Sequence, residues 1–226
     1  MKNKLLVFDF DGLLIDSYSL LKEVFATYGL DLGDEDRFKN RRKFLKYVGG
    51  GKEFLANLAL FSLPNKKTLR ADLTEVYREK GKIFEVFVDH LNTLIQSPTC
   101  HVGILSRNFT YESGVTIRKV LENSGVEEKD LDFIVPISAG TNKKHVLLGM
   151  SSKRYDSKIF TGDEISDYKA AQASHYIPFI ASYGFDDRNR LITKGEISEE
   201  IIYDSPSNLV LAVESTLSQR HSHPFG

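Results

Sequence analysis

The sequence predicts an α/β protein whose core is a doubly wound, Rossmann-like parallel sheet. Two observations support this prediction. From residue 100 onward, short apolar runs alternate with stretches of helical periodicity, as they do in repeated βαβ units. Between residues 16 and 81, a charged stretch with helical spacing interrupts the pattern. We therefore expect a core domain of residues 1–15 and 82–226 and an inserted, small α-helical domain of residues 16–81.

The first strand is predicted at residues 4–8, where an apolar run ends at carboxylates. Such a run bounded by turn residues is typical of a strand buried on both faces. Apolar residues at three- and four-residue spacing then predict an amphipathic helix that ends near Gly29. These apolar residues are Leu20, Leu21, Val24, Phe25 and Tyr28. Helical spacing continues through the insertion, with breaks at Gly49–Gly51 and at Pro64.

Beyond the insertion, a helix is predicted at residues 82–95 and the strand-helix alternation follows it. The predicted strands are CHVGILS, DFIVPIS, SKIFTGD, YIPFIASYG and, at the sheet edge, EEIIYDS. The predicted helices are SGVTIRKVLENSG, NKKHVLLGM, SDYKAAQASH and SNLVLAVESTLSQ. The last residues, RHSHPFG, are expected to be a frayed tail.

Composition excludes several classes of protein. The 226 residues hold 30 Lys and Arg against 31 Asp and Glu, which argues against a nucleic-acid binder that works by bulk positive charge. The single cysteine, Cys100, cannot form an internal disulfide, so a disulfide-framed secreted protein is excluded. The apolar run near the N-terminus is too short for a signal peptide or a membrane span. We expect a cytoplasmic protein without nucleic-acid or membrane partners.

Polar side chains follow three of the predicted strands, where ligands of open parallel sheets bind. Taken singly, each side chain could be a turn residue or a helix cap. Together they place four acids and a hydroxyl at one edge of the sheet, and clustered acids repel unless a cation is present. Mg²⁺ suits carboxylates and water as ligands. The residues are Asp9, Asp11 and Gly12 after the first strand, Ser106, Arg107 and Asn108 after the second, and Asp163 and Asp167 after the fourth.

Two lysines, Lys143 and Lys144, open the helix after the strand near residue 135. A solvated helix end is one interpretation of them. Positive charge is electrostatically unfavourable at a helix N-terminus, which favours the alternative that one lysine binds an anion. Lys143 is the preferred candidate because Leu147 follows it by four residues in the first apolar turn.

These residues resemble the motifs of the haloacid dehalogenase-like superfamily of phosphohydrolases. Four motifs match in order: VFDFDGLLIDS, GILSRN, a lysine near NKKHVL, and IFTGDEISDYKAAQASH. The resemblance covers nearly the whole chain, and the insertion lies where the family carries a helical cap. Within the family, the chain resembles the phosphoglycolate phosphatases and the beta-phosphoglucomutases. Asp11 indicates phosphoryl transfer, since the dehalogenases lack this second aspartate.

The resemblance implies an Mg²⁺-dependent phosphatase that hydrolyses a small phosphorylated metabolite through an aspartyl-phosphate. Asp9 would be the nucleophile and Asp11 the general acid and base. Mg²⁺ would be held by Asp9, the Asp11 carbonyl and Asp163, with Asp167 in the outer shell. Ser106 would bind a phosphate oxygen, and Lys143 would balance charge and orient Asp9. The substrate-binding candidates are Gly12, Arg107, Asn108 and, in the cap, Lys52.

The motifs leave alternatives open. A sugar phosphomutase would use the same core residues and return the phosphoryl group to its substrate. A non-catalytic protein that binds phosphate esters would have the same fold without the enzymatic activity. Lys52 follows the glycine run Gly49–Gly51, and a solvated helix face is the alternative for it and for its basic neighbours Arg41, Arg42, Lys43 and Lys46. The chain is expected to be a monomer or a homodimer.

Overall fold

A computed structural model describes residues 3–33, 65–138, 140–150 and 155–219. Its strands are β1 (Lys4–Phe8), β2 (Cys100–Ser106), β3 (Phe133–Pro136), β4 (Ser157–Gly162), β5 (Ile177–Ala181) and β6 (Ile202–Tyr203). They form one sheet in the order β3-β2-β1-β4-β5-β6, and every neighbouring pair is parallel. This order belongs to the doubly wound folds and confirms the predicted fold class.

Helices lie on both faces of the sheet. They are α1 (Ser17–Thr27), α2 (Lys66–Lys80), α3 (Glu85–Gln96), α4 (Ser113–Asn123), α5 (Lys143–Met150), α6 (Ile165–Ala173), α7 (Arg188–Gly195) and α8 (Pro206–Gln219). Side chains alternate between the faces of a strand. Leu6 and Phe8 of β1 accordingly pack with α3, α4 and α8, whereas Leu5 and Val7 pack with α5 and α6. None of the described helices combines the length and hydropathy that a bilayer span requires.

β1 lies at the centre of the sheet, between β2 and β4. Its five residues are all buried, as the apolar run predicted. The chain passes from β1 to β2 and β3 on one side of β1 and then crosses to β4 on the other side. The crevice of the fold therefore opens at the carboxyl ends of β1 and β4. Asp9 follows β1 and Asp163 follows β4, so both aspartates lie at this crevice.

Two parts of the sequence differ in the structure from their predicted form. α7 was not predicted, because only Leu191 and Gly195 of its eight residues are buried and its apolar periodicity is therefore weak. Its start is instead marked by a cap, since the carboxylate of Asp187 accepts a hydrogen bond of 2.8 Å from the Arg190 N–H. The edge strand predicted at 199–205 is limited to β6, because a 3₁₀ turn, Glu199–Ile201, occupies its first part.

Helices α1 and α2 lie at the two ends of the insertion and pack against each other through Leu21, Phe25, Leu69 and Leu73. The chain enters and leaves the insertion at neighbouring points of the core. Ile15 forms an antiparallel β-bridge with Ile83, and the Phe84 N–H donates a hydrogen bond of 2.9 Å to the Leu14 carbonyl.

Residues 34–64, slightly less than half of the insertion, lie outside the described residues. Lys52, the basic residues Arg41, Arg42, Lys43 and Lys46, and the Gly49–Gly51 break belong to this segment. The predicted tail beyond residue 219 also lies outside. The boundaries of the two domains stay a prediction.

Candidate active site

Three buried carboxylates converge at the crevice between β1 and β4. Asp9, Asp163 and Asp167 each place one carboxylate oxygen within 4.8 Å of the other two. Asp9 directly follows β1, Asp163 follows β4, and Asp167 lies in the first turn of α6. The parallel register that aligns the ends of β1 and β4 therefore brings residues more than 150 positions apart into one cluster.

Lys143 lies against this cluster. Its ammonium group contacts the Asp9 carboxylate and donates a hydrogen bond of 2.7 Å to Oδ1 of Asp167. Burial opposes the positive charge, but Asp167 and Asp9 outweigh this effect and raise the pKa of Lys143. Lys144 is only half-buried, and its carbonyl accepts a hydrogen bond from Ser174. Of the two lysines that the sequence left open, Lys143 is the one beside the carboxylates.

Asp167 has a second function at the start of α6. Its Oδ2 accepts hydrogen bonds from the N–H groups of Asp163 and Glu164, at 3.3 and 3.2 Å. Together with the reciprocal bond from its own N–H to Glu164, this forms a capping box. Burial alone would raise the pKa of Asp167, but Lys143 lowers it. Asp167 is thus an ionised carboxylate that links Lys143 to the loop after β4.

Only one of the two carboxylate oxygens of Asp163 has a hydrogen-bond partner among the described residues. Its Oδ2 accepts a hydrogen bond of 2.6 Å from the Phe185 N–H, whereas its buried Oδ1 has no hydrogen-bond partner among the described residues. Burial, together with the charges of Asp9 and Asp167, raises the pKa of Asp163 well above its usual value. A buried carboxylate oxygen without a donor is costly unless a cation neutralises it.

The cluster carries more negative charge than its lysine balances. Burial and the Asp167 carboxylate raise the pKa of Asp9 to about 8, even though Lys143 acts in the opposite direction. A divalent cation would compensate this excess, and oxygen ligands of this kind suit Mg²⁺. The free Oδ1 of Asp163 and the neighbouring carboxylate of Asp9 therefore fit a hard divalent metal ion.

Gly12 allows the loop after β1 to approach Asp163. It adopts φ +77°, and a Cβ built at this position would collide with Oδ2 of Asp163. Its N–H donates a hydrogen bond of 3.2 Å to Oγ of Ser17. The close approach of Asp163 thus explains why a glycine is required at position 12. Its predicted contact with the substrate stays a prediction.

Asp11 faces a set of hydrogen-bond donors outside the acidic cluster. Its carboxylate accepts hydrogen bonds from the hydroxyls of Tyr77 and Ser17, at 2.8 and 2.9 Å, from the amide of Asn108 and from the hydroxyl of Ser106. Burial raises the pKa of Asp11, and these donors oppose the rise. Tyr77 and Ser17 were missed by the sequence analysis. Ser17 closes the first motif, but Tyr77 lies near the far end of the insertion, 66 positions after Asp11.

The residues after β2 lie beside Asp11 and Lys143. Ser106 and Asn108, expected to contact phosphate and substrate, donate hydrogen bonds of 3.3 and 3.0 Å to Oδ2 of Asp11. Arg107 is half-buried near Lys143 and Asp167, and its guanidinium donates to the Ser166 hydroxyl at 3.1 Å. The structure brings all three to the site, although in this arrangement two of them position Asp11.

Asp186 is a further buried acid that the sequence analysis missed. Its Oδ2 accepts a hydrogen bond of 2.9 Å from the Ile165 N–H, and its Oδ1 forms an ion pair of 2.8 Å with Arg190. It therefore fixes the first residue of α6, the helix that carries Asp167. The only signal in the sequence is its place in the acidic pair Asp186-Asp187.

Comparison with known proteins agrees with this arrangement. No protein-family model matches the chain. A phosphoglycolate phosphatase of Synechococcus elongatus is 24% identical over 230 residues, which cover 95% of this chain and 99% of that protein. The match confirms the resemblance that the motifs indicated.

Solved structures share the fold. A haloacid dehalogenase-like hydrolase of Streptococcus pneumoniae superposes with a TM-score of 0.58 and 16% identity, over 92% of this chain and 97% of that one. A candidate beta-phosphoglucomutase of Thermotoga maritima gives a TM-score of 0.60 and 17% identity, over 95% and 99% of the two chains. At these identities the likeness concerns the fold and leaves the reaction to the site itself.

Proposed function

We propose, from the premise that the chain is a haloacid dehalogenase-like hydrolase, that it is an Mg²⁺-dependent phosphatase of small phosphorylated metabolites. The observation that carries the proposal is the contact of Lys143 with both Asp9 and Asp167, beside the unpartnered Oδ1 of Asp163. This is a lysine-bridged acid cluster at the carboxyl ends of parallel strands, where such a fold binds its ligands.

In the proposed reaction, the Asp9 carboxylate attacks phosphorus and forms an aspartyl-phosphate as the bond to the leaving oxygen breaks. Lys143 holds the Asp9 carboxylate in place and balances charge as it accumulates on the phosphoryl oxygens. Asp11 gives a proton to the leaving oxygen and later takes one from the water that hydrolyses the intermediate. Because the described side chains that contact Asp11 are all uncharged, its carboxyl group is suited to exist in both protonation states.

The carboxylates of Asp9 and Asp163 would hold Mg²⁺, with the Asp11 carbonyl as the third protein ligand that the motifs imply. When bound, the ion shields negative charge between the nucleophile and the phosphate. Asp167 would act through Lys143, to which it is hydrogen-bonded. Arg107 is the cation nearest to this cluster after Lys143 that the structure describes, so it is proposed to hold an anionic group of the substrate.

The test is phosphate release from p-nitrophenyl phosphate by the wild-type protein and by the Asp9→Asn variant, with Mg²⁺ and with EDTA. We expect release only from the wild type with Mg²⁺. Asp89→Asn is a matched control, since Asp89 is exposed on α3, and it should retain full activity. Activity of Asp9→Asn, or of the metal-free wild type, would overturn the proposal.

A panel of phosphorylated metabolites, led by phosphoglycolate, would then define the substrate. Phosphoglycolate comes first because the curated relative is named for its hydrolysis. Glucose 1-phosphate with a bisphosphate primer separates the second candidate, a phosphomutase, because glucose 6-phosphate would form without release of phosphate. This candidate is favoured only by the structural likeness to a candidate beta-phosphoglucomutase. Absence of turnover across the panel would favour a phosphate-ester-binding protein.

A further inference from the structure

Tyr77 connects a helix of the insertion to a carboxylate of the site. The residue lies near the end of α2, and its side chain is completely buried. Its hydroxyl donates a hydrogen bond of 2.8 Å to Oδ1 of Asp11, 66 positions earlier in the chain. The ring packs edge-on against Phe109, with centroids 5.7 Å apart, so packing as well as the hydrogen bond determines where the hydroxyl points.

Helix α2 is attached to the core loop that follows β2. The Tyr111 N–H donates a hydrogen bond of 2.8 Å to the hydroxyl of Thr74, and the Arg78 guanidinium donates to the Tyr111 carbonyl at 3.2 Å. One turn earlier than Thr74, Arg70 donates to the Thr110 carbonyl at 2.9 Å. These contacts lie along one side of α2 and hold Tyr77 at a fixed place above Asp11.

The two oxygens of Asp11 have different surroundings. Oδ1 accepts from Ser17, Tyr77 and Asn108, at 2.9, 2.8 and 3.3 Å. Among the described residues, Oδ2 accepts from Asn108 and Ser106, at 3.0 and 3.3 Å. The hydroxyl of Ser17 is itself an acceptor for the Gly12 N–H, so its proton is directed at Oδ1. Ser17 and Tyr77 give Oδ1 the two shortest of these bonds. The bond from Ser106 to Oδ2 is longer, at 3.3 Å, and a serine hydroxyl can also act as an acceptor. Oδ2 is therefore the oxygen better placed to carry a proton.

We propose that Tyr77 is a positioning residue for proton transfer by Asp11; this inference rests on the proposed phosphatase function. With Ser17, it holds Oδ1 so that Oδ2 carries the exchangeable proton. In the first step, an Asp9 oxygen bonds to phosphorus and the ester bond breaks. The electron pair of that bond stays on the leaving oxygen, which takes the proton from Oδ2. In the second step, the oxygen of water bonds to phosphorus as the bond between phosphorus and the Asp9 oxygen breaks. The proton of that water goes to Asp11, phosphate leaves, and the Asp9 carboxylate is restored.

A leaving group of low basicity needs little protonation, so the inference predicts a dependence on the leaving group. Tyr77→Phe should lower kcat/KM for benzyl phosphate by about tenfold, the value expected from loss of one hydrogen bond to a charged or acidic group. For p-nitrophenyl phosphate the loss should stay within about twofold, because its leaving group departs without a full proton transfer. The ratio kcat/KM is the appropriate measure because it reports the steps through cleavage of the ester bond.

Tyr111→Phe is the matched control. Its hydroxyl donates to the Lys67 carbonyl at 3.3 Å, so the variant removes one tyrosine hydroxyl from the same contact between α2 and the core without touching Asp11. In this variant, kcat/KM for benzyl phosphate relative to that for p-nitrophenyl phosphate should equal the wild-type value. In an Asp11→Asn background, Tyr77→Phe should cause no further change in that ratio, because the group through which Tyr77 acts is absent.

Each outcome distinguishes the two proposals. If Tyr77→Phe lowers kcat/KM for both esters equally, Tyr77 has a structural role only and this inference is wrong, while the phosphatase function stands. A wild-type protein that hydrolyses neither ester would instead overturn the proposed function. Should Tyr77→Phe not fold, Ser17→Ala removes the other hydroxyl from Oδ1 and should show the same selective loss for benzyl phosphate. An unchanged ratio in Ser17→Ala would then overturn the inference.

Discussion

Lys143 and Asp167 form a hydrogen bond of 2.7 Å between two side chains that are almost completely inaccessible to solvent. The same lysine contacts Asp9, so one positive charge serves two carboxylates. Removal of one partner from a buried ion pair leaves an uncompensated charge. The energetic importance of Lys143 can therefore be measured independently of catalysis.

We expect Lys143→Met to lower the free energy of unfolding by about 3–5 kcal/mol, because Asp9 and Asp167 would be left buried without their cation. Chemical denaturation in EDTA is the measurement. Lys144→Met is the control, since Lys144 is half-buried at the next position, and its effect should stay within about 0.5 kcal/mol. Equal losses in the two variants would show that the contact of Lys143 with the carboxylates contributes little.

Asp163→Asn should change stability in opposite directions with and without metal. In EDTA the variant should unfold at a higher temperature than the wild type, because folding raises the pKa of Asp163 and its ionisation therefore opposes folding at neutral pH. The difference in unfolding temperature between Asp163→Asn and the wild type should grow as pH rises above the ordinary pKa of an aspartate. With Mg²⁺ the order should reverse, since the wild type gains about 2.7 kcal/mol at a metal concentration of 100 times Kd.

Thermal unfolding of both proteins across a series of Mg²⁺ concentrations tests this prediction. Asp89→Asn, at an exposed position on α3, should show the same response to Mg²⁺ as the wild type. A Mg²⁺-dependent rise in the unfolding temperature of Asp163→Asn that equals that of the wild type would exclude Asp163 as a ligand.

Gly12→Ala and Gly29→Ala separate backbone strain from damage to the site. Both glycines have positive φ, of 77° and 70°, so both variants should lose roughly 1–2 kcal/mol of stability. Only at Gly12 does the new methyl group collide with Asp163, since a Cβ at Gly29 has no atom within 4 Å. We expect Gly12→Ala alone to lose its Mg²⁺ response and its activity, as measured by thermal shift and phosphate release. Retention of both would show that Asp163 can move without loss of metal binding.

His90, whose ring packs edge-on against Phe8, should make stability depend on pH. Its ring is buried on α3, where Nδ1 lies 3.0 Å from Glu214 and Nε2 has no hydrogen-bond partner among the described residues. Burial lowers the pKa of His90, although Glu214 opposes the shift. The unfolded chain therefore binds the proton more readily, and stability should fall as pH drops below about 6.5, the ordinary histidine value.

The measurement is the free energy of unfolding between pH 8 and pH 5 for the wild type and for His90→Gln. We expect a flatter decline in the variant, which has no imidazole to protonate. His145→Gln, at an exposed position, should retain the wild-type slope. A parallel decline in all three proteins would show that burial of His90 has no part in the acid sensitivity.

The parts of the fold that depend on local patterns were predictable from the sequence. β1 occupies residues 4–8 as predicted, because a strand buried on both faces must be apolar throughout. Near Gly29 and Gly125, helices end where the chain takes a positive φ. Helix α7 was not predictable by this means, because a surface helix with two buried residues has almost no apolar period.

The acidic side of the site was predictable for a related reason. Parallel strands end at one edge of a sheet, so acids placed after β1 and β4 must lie near each other. The environment of Asp11 was not predictable, because Tyr77 approaches it only through the packing of α2 on the core. Tertiary contacts between distant segments leave no periodic signal, and a tyrosine in an amphipathic helix is most often a core residue.

The bridge between Ile15 and Ile83 has a consequence for the evolution of this protein. Because the core itself joins the two ends of the insertion, the cost of closing the loop between them varies slowly with its length, by about 0.6 kcal/mol for each doubling. Insertions and deletions beyond this junction would therefore change stability little. The length of the insertion can therefore change without disturbing the strand ends that carry the acids and the helix that carries the lysine.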